Sequence, residues 1–120
     1  MTGATDADAA RPWYLYLLAC ADGNTYTGIT TDPSRRLAEH NAGRGARYTA
    51  QEKRRPMRLL GVWQFPDQAS ATRAELRFKR RSPARKRQLA ATQSPFDGAP
   101  FCAEFLPINP VHSTAESTTT

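Results

Sequence analysis

Cysteine is nearly absent from this chain: Cys20 and Cys102 stand alone, 82 residues apart. That is too few for a disulfide framework, and although one bridge is open to them, a reduced, cytoplasmic protein is the better expectation. Long apolar runs are missing too. Trp13 to Ala19 is far too short to span a bilayer, so no membrane partner is expected. The first residues carry Asp6 and Asp8 where a secretory signal would carry bases, and no such signal is expected. The two histidines, His40 and His112, lack zinc-ligand spacing even when taken with both cysteines. There is no phosphate-cradling Gly-rich loop, no dinucleotide fingerprint, no Ser-His-Asp order and no internal repeat.

Acid is scarce where base is dense. Residues 35–87 hold 16 of the 17 Lys and Arg residues but only Glu39, Glu52, Asp67 and Glu75 on the acidic side, a net of +12. The rest of the chain nets −6. Fourteen of the bases are arginine, whose planar fork suits phosphate. A basic middle on a domain of this size points to a polyanion, most simply nucleic acid. The plain alternative is a solvated basic surface with no particular partner.

At 120 residues, one domain with tails is expected: a lead-in over 1–12, a folded unit over 13–92, and a disordered tail rich in Pro, Ser and Thr over 93–120. Phe96, Phe101, Phe105 and Leu106 are the residues able to pin the start of that tail to the domain. Trp13 to Ala19 reads as a strand, Ala21-Asp22-Gly23 as a turn, and Asn24 to Ile29 as the returning strand. Asp32-Pro33 is a cap-then-proline helix start, with the helix running to about Asn41 and stopped by Gly43. A basic loop over Arg44 to Pro56 leads to a third strand, Met57 to Phe65. Strict alternation there puts Met57, Leu59, Gly61 and Trp63 on one face. Further helices are expected over Gln68 to Arg81 and Pro83 to Thr92. The fold class is α+β: a three-stranded antiparallel sheet flanked by helices in the order β-β-α-β-α-α.

The hairpin loop length decides where the tyrosines point. A two-residue loop pairs position 26 with 19 and sends Tyr16 and Tyr26 to opposite faces. A three-residue loop with Gly23 in the left-handed conformation pairs 26 with 18 and 16 with 28, so both phenols share a face. The three-residue loop is expected.

That shared face matters because of the polar residues downstream of it. Tyr14-Leu15-Tyr16 and Tyr26-Thr27-Gly28 are succeeded by Arg36, His40 and Glu75. Cutting a phosphodiester requires an activated water, neutralised phosphoryl oxygens and help for the leaving oxygen. A tyrosine acts as general base when a cation lowers its pKa. Arg36 and His40, one helical turn apart, are placed to reach one phosphate together, and Glu75 is placed to hold a divalent ion. Each also has an ordinary reading. Strand tyrosines are commonly packing residues, an Arg–His pair is commonly a solvated helix face, and Glu75 with Lys79 is the favoured order for a helical salt pair.

The ordered set resembles the GIY-YIG nuclease superfamily, and most nearly its small stand-alone UPF0213-type bacterial members. The resemblance runs over about residues 13 to 90 and includes Gly28-Ile29-Thr30-Thr31-Asp32, Arg35-Arg36-Leu37-Ala38-Glu39-His40-Asn41, Gly45-Ala46-Arg47-Tyr48-Thr49 and Glu75-Leu76-Arg77-Phe78-Lys79. It implies a metal-dependent endonuclease acting on nucleic acid, DNA rather than RNA, with one Mg²⁺ or Mn²⁺. It also implies roles: Tyr26 as general base, Tyr16 as orienting phenol, Arg36 and His40 at the phosphate, Glu75 on the metal, and Gly28 close to the substrate backbone. Two departures stand out. Ile29 occupies a position where excision-repair relatives carry lysine, and no asparagine occurs between Asn41 and Asn109, although many relatives have one on the last helix. Arg35, Lys79 and Arg87 are candidates for the missing charge stabilisation, with Arg44 and Arg47 as further backbone contacts. A monomer is expected. The rival readings are a non-catalytic nucleic-acid-binding module and a plain interaction domain.

Overall fold

The computed structural model describes residues 11–106. Strands β1 (Trp13–Ala19), β2 (Thr25–Thr30) and β3 (Arg58–Phe65) form one antiparallel sheet in the order β2-β1-β3. Helices α1 (Pro33–Asn41), α2 (Arg47–Ala50), α3 (Gln68–Lys79) and α4 (Pro83–Ala91) complete it. Apart from the single-turn α2, the elements follow the expected order β-β-α-β-α-α. The three longer helices each start on a side-chain cap: Asp32, Asp67 and Ser82 accept from Arg35 N, Ser70 N and Arg85 N.

The hairpin takes the three-residue loop. Cys20 N donates to Asn24 O and Gly23 N to Cys20 O, and Gly23 has φ +91°. Tyr16 therefore lies opposite Gly28 and Leu18 opposite Tyr26, so the two phenols share a face.

Helices cover both faces of the sheet, so the central strand is buried on both sides: Leu15, Leu17 and Leu18 have no exposed surface. One face packs Leu15, Leu17, Trp63 and Phe65 against Ala71, Ala74 and Phe78 of α3 and Leu89 and Ala90 of α4. Each large side chain buried here contributes about 1.5–3 kcal/mol. The other face gathers Tyr16, Leu18, Met57, Leu59 and Val62, with Leu37, Tyr26 and Tyr48 packed against them.

Three expectations are corrected. Alternation in β3 is broken, because Leu17 pairs with Gly61 while Leu18 pairs with Leu59, leaving Leu60 as an extra residue. This bulge moves Met57 and Leu59 onto the face of Val62, away from Trp63. The basic loop over 44–56 contains α2 and a 3₁₀ turn, Glu52–Arg54. The packed body also runs past residue 92. Phe96 and Ala99 enter the first core, and Phe101 meets the Trp63 ring at 5.3 Å. Cys102 N donates to Val62 O, and Gln64 N to Pro100 O, so this segment closes the open edge of β3. Most of the lead-in and the tail from 107 onward lie outside the described residues. Among those described, no helix is long and apolar enough to cross a membrane.

Candidate active site

The site starts from a buried chain of three side chains. Tyr16 Oη and His40 Nε2 are 2.8 Å apart, and His40 Nδ1 and Thr49 Oγ1 are 2.6 Å apart. His40 has no exposed surface and Tyr16 only 2%. Burial, followed by the Arg36 charge, pushes the His40 pKa down to about 4, so the imidazole is neutral. Burial likewise pushes Tyr16 up to about 12, against the opposing pull of Arg36. Two glycines make room for the pair: a Cβ on Gly28 would stand 2.5 Å from Tyr16 Oη, and one on Gly45 would collide with His40 Nδ1.

This arrangement corrects the expected role of His40. Arg36 and His40 do leave one face of α1, but His40 points inward and both its ring nitrogens are engaged, leaving neither for a phosphate. Thr49 is the residue the sequence did not single out. It stood within the Gly45–Thr49 run without an assigned role, and its position on the one-turn helix α2 is what brings it to His40. Ala46 N donates to Thr49 Oγ1 at 3.1 Å, which fixes the hydroxyl in place.

Tyr26 sits at the boundary with solvent. Its ring lies 5.1 Å from His40 and 6.4 Å from Tyr16, and it stacks on Tyr48 at 5.8 Å with 24° between planes. Tyr48 also carries Arg54 over its ring, with the guanidinium carbon 3.7 Å from the ring centre. Arg54 is in turn paired with Asp22 of the hairpin turn at 2.9 Å. The order Asp22, Arg54, Tyr48, Tyr26 therefore ties the orientation of the outer phenol to the hairpin that carries it.

Arg36 is partly exposed beside Tyr16 and is held by Glu39 at 2.9 Å. Glu75, on α3, acts on Tyr16 only through its charge, the last of the causes that bear on that phenol's pKa. It also makes the expected helical pair with Lys79, at 3.2 Å. Arg35, Arg44 and Arg47 are exposed, with Arg35 reaching Glu39 at 3.8 Å. Arg87 donates to Gly23 O at 2.7 Å, so it fastens α4 to the hairpin turn and does not line the cleft at Tyr26. The neighbouring Lys86 lines that cleft instead, together with Lys79.

For a metal ion the donor set is sparse. No group of three or more His, Cys, Asp or Glu side chains gathers among the described residues, which excludes a cage built wholly from protein. A single carboxylate, Glu75, one-fifth exposed and already facing a cation, fits Mg²⁺ or Mn²⁺ of the kind that keeps water and phosphate as its other ligands.

Known proteins are similar to this chain in sequence. A family model for the GIY-YIG catalytic domain matches residues 12–88. A UPF0213 protein of Cupriavidus pinatubonensis is 55% identical over 76 residues, covering 63% of this chain and 82% of that protein. A UPF0213 protein of Enterococcus faecalis is 46% identical over 79 residues, covering 66% of this chain and 90% of that protein. A solution NMR structure of an E. faecalis protein aligns over 71% of this chain and 88% of its own, with 42% identity and a TM-score of 0.49. The designation UPF0213 states no activity. With the family model spanning most of the chain, and relatives matched over most of their own length, the chain belongs to the UPF0213 branch of the GIY-YIG nuclease superfamily.

Proposed function

We propose that this protein is an endonuclease that hydrolyses DNA phosphodiester bonds with one divalent ion, acting as a monomer in the cytoplasm. The observation that carries this reading is the division of labour between the two phenols. Tyr16 is sealed against a neutral His40, whereas Tyr26 stands beside it on the rim of a cleft.

In this reading Tyr26 Oη takes the proton of the attacking water as its own phenolic proton passes to solvent in the cleft. Tyr16 and His40 hold the inner wall against which Tyr26 packs, and Thr49 keeps the imidazole in place. The Arg36 guanidinium swings from Glu39 to a non-bridging phosphate oxygen, exchanging one anionic partner for another. Glu75 holds the ion, which when bound neutralises charge on the phosphoryl oxygens. As the water oxygen bonds to phosphorus, the opposite P–O bond breaks and the leaving oxygen gains a proton from solvent. Arg35, Arg44, Arg47 and Lys79 supply flanking contacts with the backbone. Such contacts place a strand without reading its bases, so the cut follows DNA structure or nothing, rather than sequence.

A cleavage panel over single-stranded, flap and branched DNA, with Mg²⁺ or Mn²⁺, tests this. Wild type is expected to nick at least one substrate, and Glu75→Ala to bind equally well without nicking. Binding without any nicking by wild type would leave the non-catalytic module as the better account.

A further inference from the structure

The cleft at Tyr26 holds two features that go beyond the flanking contact given to Lys79 above. The first is Thr27. The residue is 4% exposed, and its Oγ1 is sealed from solvent with no hydrogen-bond partner among the described residues. A buried hydroxyl left unpaired costs about 1–3 kcal/mol, and a valine of the same shape in a strand would avoid that cost. The second is a pair of cations. Lys79, at the end of α3, and Lys86, on α4, line the same cleft of about 360 Å³ together with Thr25, Tyr26, Thr27 and Tyr48. Lys79 has Glu75 at 3.2 Å, but Lys86 has no ion-pair partner among the described residues. Burial and the Lys79 charge both disfavour its protonated form. Two like charges lining one cleft with a buried, unpartnered hydroxyl, at the outer strand of the sheet formed by the described residues, favour an anion there.

We propose that this cleft is a second phosphate subsite, separate from the position held by Arg36, in which Lys79, Lys86 and the Thr27 hydroxyl bind one phosphate group. Its ligand rests on the nuclease reading, in which the group is a backbone phosphodiester or a terminal phosphomonoester of the nucleic acid. Lys86 and Lys79 donate N–H bonds to two phosphate oxygens, and the Thr27 hydroxyl, sealed from solvent in the free protein, turns about its side-chain bond to donate its O–H to a third. Tyr26 borders the same space, so a phosphate seated here sets how far along the strand the scissile bond falls.

The test uses the full chain and three probes: inorganic phosphate, a short single-stranded oligonucleotide with unphosphorylated ends, and the same oligonucleotide carrying a terminal phosphate. Inorganic phosphate at millimolar concentration should shift the NMR signals of Thr27 and Lys86 in wild type and leave them unmoved in Lys86→Gln. That variant should bind an oligonucleotide about tenfold more weakly, with a salt slope lower by about one. Arg85→Gln makes the same charge change on the same helix outside the cleft, and should change affinity less than about twofold. Thr27→Val should lose affinity while melting no lower than wild type, a combination that a packing role does not produce. Loss confined to the phosphorylated oligonucleotide assigns the subsite to a monoester end, and equal loss on both assigns it to the backbone. The proposal is overturned if phosphate moves neither signal, or if Lys86→Gln and Arg85→Gln weaken binding alike. Cleavage measured in parallel keeps the two ideas apart. A protein that shows this binding pattern but never nicks DNA loses the nuclease reading and keeps the subsite.

Discussion

The two faces of one small sheet are built to opposite specifications. Toward α3 and α4 the strands present Leu15, Leu17, Trp63 and Phe65, and the buried groups on the facing helices are apolar. Toward α1 and α2 the same strands present Tyr16 and Tyr26, which meet His40, Thr49 and Tyr48. The first face gains stability from removing apolar area from water. The second buries hydroxyls and an imidazole, and each must find a partner to avoid a desolvation cost. Period-two alternation in β1 and β2 lets adjacent residues serve both ends: Tyr16 faces His40 while Leu15 and Leu17 face the apolar core.

Substitutions on each face should separate these roles. Trp63→Ala opens the apolar face and is expected to cost about 3–5 kcal/mol in a urea titration. The cleavage rate per folded molecule should be unchanged, and a proportionate loss of rate would mean the faces are not independent. Tyr26→Phe reverses the pattern. It removes one hydroxyl from the cleft rim, so cleavage should fall about a hundredfold or more with the melting temperature unmoved.

Acid and alkali should both act on the polar face. His40 has its pKa pushed down to about 4, below the ordinary value of 6.5, so the unfolded chain binds the extra proton first and stability falls as pH drops from about 6.5 through 4. Tyr16 has its pKa pushed up to about 12 from 10, so unfolding releases its proton first and stability falls as pH rises from 10 toward 12. At about 1.4 kcal/mol per unit, each limb amounts to about 3 kcal/mol. His40→Gln should flatten the acidic limb of a stability–pH curve and Tyr16→Phe the alkaline one. Curves that keep both slopes in the variants would place the titrating groups elsewhere.

Gly28→Ala sharpens the comparison with a single methyl. The new Cβ would stand 2.5 Å from Tyr16 Oη, so the phenol must shift and the bond to His40 must lengthen. An overpacking cost of about 1–3 kcal/mol is expected. Cleavage should fall by more than that stability loss explains, which a urea curve and a rate measured below the transition would reveal together.

Much of this was legible in the residues alone. Asp32-Pro33 and Ser82-Pro83 marked two helix starts because a capping side chain followed by proline satisfies orphan amides and presets φ. Gly23 decided the tyrosine register because only its left-handed φ closes a three-residue hairpin at little cost. The alternation of β3 was misjudged because a bulge at Leu60 leaves no mark in an apolar run that is buried on both sides. Thr49 and Lys86 do not stand out for another reason: each lies beside residues distant in the chain, His40 or the β2 residues of the cleft, and local pattern does not report such neighbours.

Residue order alone was enough to set the elements, their caps, the shared face of Tyr16 and Tyr26, and the basic middle of the chain. These depend on local rules: periodicity, turn chemistry and charge count. Which groups are sealed and which stand open was left to tertiary packing. It turned His40 inward between Tyr16 and Thr49, tied Arg87 to the hairpin turn, and left the Thr27 hydroxyl and Lys86 without a partner among the described residues. Burial and long-range hydrogen bonding set those states, and both depend on what the rest of the fold places against each side chain.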